Sequence, residues 1–298
     1  MDYEEVEALN QSTVKLILSN QLTKAKKARD TEGFMLGNMV DSLVTGSEYN
    51  YIVCEEKIPD SLDSIFHTLL ENRIADDIEK NKELILQLAN QFEYCMKMGE
   101  EVRIDRIIKA CKPLWDKSIE ANGKLLIPQD LHTSAVLMSE MLKNHPFTKD
   151  IINNPDNEFQ KELYFEYNDT PCKGRLDILA PDIIYDVKVI TKGSVHNFMK
   201  SYNRFRYSIQ SAFYTIGAET LYNCEFEFKF IAVSPFSNYP LIFNVSSDII
   251  EKEIPKIEEA IVKYNWHQEN GWETPMDVVL SNGNVEIGID DISYKFDD

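Results

Sequence analysis

At 298 residues, 43% hydrophobic and 27% charged, the chain has enough apolar material to bury a real core, as one large domain or two small ones. Its formal net charge of −19 excludes a protein that coats nucleic acid with its whole surface, but not one with a local basic groove. No apolar run approaches the ~18–20 residues of a membrane span, the start Met1 to Glu5 is acidic with no export pattern, and the five cysteines form no C-x-x-C pair, so a reduced cytoplasmic protein with no membrane contact is expected.

In chain order, residues 12–28 read as a helix capped by Ser12, ending in the basic run Lys24 to Arg29. A second helix is predicted over Phe34 to Val44, placing Gly37 and Asp41 on one face, followed by a short strand from Tyr51 to Cys54. Residues 60–120 have helical spacing, charges of both signs and no site-like cluster, and read as an inserted helical layer whose pattern Pro113 breaks. A further helix begins around Leu126 to Asp130 and ends near Pro146. The turn-rich Asn153 to Asn157 is the best boundary, dividing a mainly helical part (1–150) from a strand-bearing core (151–270) within one compact unit. Strands are predicted at Lys161–Tyr167, Gly174–Ala180, Ile183–Ile190, Phe226–Val233 and Leu241–Val245, with helices over 195–202, 205–222 and 248–266. An acidic tail (271–298) follows, with a short hairpin around Asn282-Gly283.

The unusual stretch is Lys173 to Tyr214. Asp186 and Lys188 lie inside the β-branched run Ile183 to Ile190, and strand alternation puts both side chains on one face. Charge in apolar surroundings is costly unless paired or bound to metal. Asp177 ends the run before it, and Glu162, on the preceding strand, supplies another acid. Aspartates at the ends of adjacent strands suit a hard divalent cation, Mg²⁺ or Mn²⁺, completed by water and a substrate phosphate. Such a cation polarises a phosphoryl oxygen and generates hydroxide, while a neighbouring lysine orients the water or offsets developing charge. An ion pair with a turn cap is the plainer reading of D-x-K alone. From Val187 to Ala218 there is no acid where composition would place about five, and the window carries Lys188, Lys192, Lys200, Arg204 and Arg206. Arg206, Gln210 and Tyr214 follow at helical spacing on one face.

The order of these features, an acid on a strand, G-R-L-D, a turn, D-V-K, then a basic helix with Q-x-x-x-Y, resembles the PD-(D/E)XK nucleases, and within them the exonuclease VIII, RecB-type and lambda-exonuclease group. Leu9 to Ser12 and Leu36 to Asp41 resemble the group's N-terminal elements, with Asp41 where the group has histidine; the likeness covers about residues 9–55 and 124–235. The resemblance implies an α/β (α+β) fold with a central mixed sheet flanked by helices. It implies metal at Asp177, Asp186, the Val187 backbone carbonyl and Asp41, and catalysis by Asp177, Asp186, Lys188 and Glu162. Gln210, Tyr214, Arg206, Arg204, Lys192 and Lys200 would contact DNA. The implied activity is Mg²⁺- or Mn²⁺-dependent exonuclease action on double-stranded DNA ends for recombination or DNA processing, by a phage-type protein in the host cytoplasm. A ring-shaped homo-oligomer and a single-strand annealing protein as partner are implied with it. Two other readings compete. One is a Cas4- or AddB-like nuclease with an iron–sulfur cluster, which Cys172 and Cys224 do not by themselves supply. The other is a non-catalytic DNA-end-binding protein of the same fold.

Overall fold

The computed structural model describes residues 3–19 and 31–282. The Lys24–Arg29 basic run and most of the tail hairpin lie outside them. The chain forms two units, one of residues 1–47 with 138–298 and one of residues 48–137. The inserted helical layer therefore corresponds to the second unit. The turn at Asn153 to Asn157, expected as a boundary, lies inside the first, because the N-terminal helices pack with the strand-rich core rather than apart from it.

The first unit opens with α1 (Gln11–Ile17) and α2 (Glu32–Thr45). The α1 cap is Asn10, whose side chain accepts from the Thr13 amide at 3.0 Å, and Ser12 lies within the helix instead. The second unit holds β1 (Tyr51–Cys54), α3 (Asp63–Glu71), α4 (Lys82–Gln91), α5 (Glu100–Glu120), β2 (Leu125–Pro128) and the start of α6 (Gln129–Asn144). Strands β1 and β2 pair in parallel. Pro113 sits inside α5 without ending it. Proline removes one helix hydrogen bond, but Ile107, Ile108, Cys111 and Trp115 on either side are buried in one core with α3 and α4, and that burial outweighs the loss.

The first unit continues with α7 (Lys149–Ile152), β3 (Glu158–Tyr167), β4 (Thr170–Leu179), β5 (Ile183–Val189), α8 (Val195–Arg204), α9 (Tyr207–Tyr222), β6 (Glu227–Val233), β7 (Leu241–Val245), α10 (Ser247–Asn270) and α11 (Met276–Leu280). The sheet order is β3-β4-β5-β6-β7, with β5 and β6 parallel and the other pairs antiparallel. On β3, Leu163 and Phe165 are buried while Glu162, Tyr164 and Glu166 are exposed, the alternation that a half-buried strand requires. Helix α9 packs on β3, and a Cβ added at Gly217 would lie 2.6 Å from Phe165 Cε1. Gly217→Ala is therefore expected to destabilise the protein by about 1–3 kcal/mol through overpacking, despite alanine's better helix propensity. Chemical denaturation checks this; unchanged or raised stability would contradict it.

One irregularity shapes everything downstream. Strands β4 and β5 pair only at Ile178↔Tyr185 and Leu179↔Ile184. One step further would set Asp177 opposite Asp186, and there the strands part. The upstream edge of β4 that β5 leaves free is covered by Leu9, whose amide donates to Pro171 O at 2.9 Å and whose carbonyl accepts from Lys173 N at 2.8 Å. That bridge delivers α1 to the site.

Candidate active site

Splaying β4 from β5 strips the Val187 N–H of a ladder partner. The Asp177 carboxylate replaces it, Oδ2 accepting from Val187 N at 2.7 Å. The N–H and C=O of one strand residue lie along the same edge, so the Val187 carbonyl opens toward the same gap. Asp186 is 2% exposed. Its Oδ1 accepts from Gln210 Nε2 at 2.6 Å and its Oδ2 meets the Lys188 ammonium. The pairing expected from alternation is thus present. Burial alone would lower the Lys188 ammonium, but the Asp186 and Asp177 charges outweigh it and hold its pKa above the ordinary lysine range.

Helix α2 packs against β5 and β4 and brings Asp41 to this gap. Burial pushes the Asp41 carboxyl upward; the Asp186 charge adds to that, and hydrogen bonds from Ser47 and Thr45 oppose it. Burial, then the Asp186 and Asp41 charges, raise Asp177 well above the usual carboxylate range, against the pull of Lys188 and the Val187 amide. Asp41, Asp177 and Asp186 therefore form a mutually repelling acidic group, which a divalent cation would relieve. The residues fit a hard cation through two carboxylates, Asp177 and Asp186, and the Val187 carbonyl, with water and phosphate completing the shell. Among the described residues no three His, Cys, Asp or Glu side chains converge into a fuller metal-binding group.

Several expected roles are revised. Asp41 is engaged by protein donors: its oxygens accept from Ser47 Oγ at 3.1 Å, Thr45 Oγ1 at 3.3 Å and Gln160 Nε2 at 3.1 and 3.2 Å. Glu162 is exposed and accepts from the Tyr164 hydroxyl at 2.8 Å. The β3–β4 register sets it opposite Arg175, two residues from Asp177. Gln210 and Tyr214, expected to contact DNA, are 6% and 8% exposed. Gln210 holds Asp186 instead. The Tyr214 ring lies over Gly174, where an added Cβ would be 3.1 Å from its Cε1, which explains the glycine in G-R-L-D. Burial and the two strand aspartates raise the Tyr214 phenol well above its ordinary value, so it remains protonated. Lys192, Lys200 and Arg204 are exposed and Arg206 is half-buried.

Two residues went unpredicted. Gln160 tethers Asp41 from across the sheet and would have needed the β3–β4 register to be seen. Lys15, on α1, puts its Nζ 3.4 Å from Gln210 Oε1 and 5.8 Å from the centre of the Tyr207 ring. Lys188 approaches the same ring at 5.3 Å. Burial and repulsion by Lys188, with a smaller contribution from Arg206, lower Lys15 to about 7 even though Asp186 attracts it. Its only signal in the sequence is a single cation inside the apolar run Val14 to Leu18.

A mixed sheet that parts at one aspartate, beside a D-x-K on the next strand, places this chain in the PD-(D/E)XK nuclease superfamily. The chain belongs to the DUF3799 family, described as a PDDEXK-like domain of unknown function, which matches residues 15–277. It is similar in fold to the crystal structure of a protein described as a “Putative exonuclease” from Eubacterium rectale, with 12% identity and a TM-score of 0.53 over 99% of this chain and 98% of that one. No curated protein matches it. All five cysteines are free, and among the described residues no three of them come together.

Proposed function

We propose that this protein is a divalent-metal-dependent DNA exonuclease, using Mg²⁺ or Mn²⁺, that degrades linear double-stranded DNA from its ends for recombination or DNA processing. The observation that carries this reading is the parting of β4 and β5 around Asp177 and Asp186 with Lys188 paired alongside. A non-catalytic end-binding protein would have no need of a mutually repelling acid pair, Asp186 buried and Asp177 half-buried.

Asp177, Asp186 and the Val187 carbonyl would hold the metal, whose chemistry is to polarise the phosphodiester and activate water. Gln210 fixes the orientation of Asp186. Lys188 supplies positive charge where negative charge develops on the phosphoryl group. The exposed Lys192, Lys200 and Arg204, with Arg206, would follow the DNA backbone. A ring-shaped homo-oligomer acting with a single-strand annealing protein in the host cytoplasm completes the reading, on the family resemblance. The test is digestion of end-labelled linear and closed circular duplex with Mg²⁺: loss of nucleotides from linear DNA alone supports it, and equal cutting of circles or no cutting at all contradicts it.

Lys15 yields a pH prediction. With its pKa lowered to about 7, it is largely neutral at alkaline pH in the free protein. A DNA phosphate beside it would raise that value, so binding takes up a proton above pH 7. DNA affinity should therefore fall as pH rises through 7–9, by up to about tenfold per unit. Lys15→Met should flatten that part of the profile in fluorescence anisotropy titrations. An unaltered slope would remove Lys15 from the phosphate path.

A further inference from the structure

The turn between α8 and α9 carries an aromatic that no role above uses. Phe205 is 49% exposed, in the middle of Arg204-Phe205-Arg206. A single exposed phenylalanine is ordinary on a protein surface, but this one is the outer member of a stack. Its ring lies 5.8 Å from Tyr207 at an interplanar angle of 27°. Tyr207 in turn lies 5.3 Å from Phe230 at 28°. Phe230 is fully buried on β6, the strand beside β5, so the stack is anchored in the core of the sheet. Both spacings fall in the range of offset-stacked rings. Tyr207 is also the ring that Lys188 and Lys15 approach, at 5.3 and 5.8 Å, so Phe205 is one ring removed from the lysines of the site. The turn passes through Arg206 in the left-handed region, φ 49° and ψ 54°, and that reversal sets Phe205 beside Tyr207 at the start of α9. The Arg204 guanidinium lies over the Phe205 ring, 5.3 Å from its centre, on an exposed side chain that an incoming base would displace toward its phosphate, and no acid occurs between Val187 and Ala218.

From this we infer that Phe205 is a stacking platform for the unpaired terminal nucleobase of the strand being cut, a subsite that rests on the nuclease reading above. A base inside a duplex has both faces covered, whereas an unpaired terminal base offers a free face to an aromatic ring. The charges fit the same occupant: Arg204 and Arg206 flank the ring where the backbone of that nucleotide would run. Every base has such a face, so the subsite would take any of the four and add no sequence preference.

The experiment places 2-aminopurine at the unpaired end of an otherwise duplex oligonucleotide and uses Asp186→Asn protein with Mg²⁺, so that binding is read without hydrolysis. Stacking should quench the probe on binding. Phe205→Leu should abolish the quench and weaken binding about tenfold, Phe205→Tyr should retain both, and neither should change affinity for the same duplex ending in an abasic residue. An unchanged quench in Phe205→Leu, or equal weakening on the abasic end, overturns the platform. Failure of wild-type protein to hydrolyse or bind any DNA would instead defeat the nuclease reading. Hydrolysis that proceeds with no dependence on residue 205 would defeat the platform alone.

Discussion

Asp186→Asn is expected to lower hydrolysis of linear duplex DNA by about 10³-fold or more, the scale of losing a group that both binds the metal and orients it. The substitution isolates charge from shape. Asparagine keeps an oxygen to accept the Gln210 amide, so the 2.6 Å bond that orients residue 186 survives. What it loses is the negative charge facing Lys188, on a residue 2% exposed. Single-turnover hydrolysis measures the loss, with circular dichroism confirming the fold. Activity within tenfold of wild type would remove Asp186 from the metal site and the proposed function with it.

Asp177→Asn is expected to act with opposite signs on stability and activity. The folded protein holds the Asp177 carboxyl well above its ordinary value through burial and the nearby Asp186 and Asp41 charges. A group raised on folding contributes stability fully present below its unfolded pKa and lost as pH rises through its folded pKa. At neutral pH, above the unfolded carboxyl's pKa, this group is therefore a liability in the metal-free protein. Asparagine removes it while still accepting from the Val187 amide, which Asp177 meets at 2.7 Å. The metal-free variant should melt about 2–6 °C higher than wild type near pH 7, the range for a gain of about 1–2 kcal/mol. The difference should shrink as pH falls, because wild type then protonates. The variant should also lose hydrolysis and the rise in melting temperature that Mg²⁺ gives wild type. Thermal scans from pH 5 to 8, with and without Mg²⁺, test both halves. A lower melting point without metal would show that repulsion between these acids is not what the folded state carries.

Local periodicity made much of the fold legible. Strand β7 and the short β1 match their predicted limits, and the two central strands differ from theirs by a few residues at their ends. Alternation in Ile183 to Ile190 is a two-residue period, so the pairing of Asp186 with Lys188 on one face could be read without a partner strand. Pro113 misled for a related reason. A proline's effect on its own helix is local, but the buried stripe that carries α5 past it belongs to the packing of three helices.

The sequence by itself determined which residue types could do chemistry here: two strand aspartates, a lysine beside one of them, and an acid-free basic window after them. Tertiary structure decided what those residues do. It turned Gln210 and Tyr214 inward to hold Asp186 and cover Gly174, engaged Asp41 through Gln160, left Glu162 exposed beside Tyr164, and brought Lys15 in from α1. Each depends on where β4 and β5 stop pairing, a register set by contacts between distant segments and not by the period of either strand.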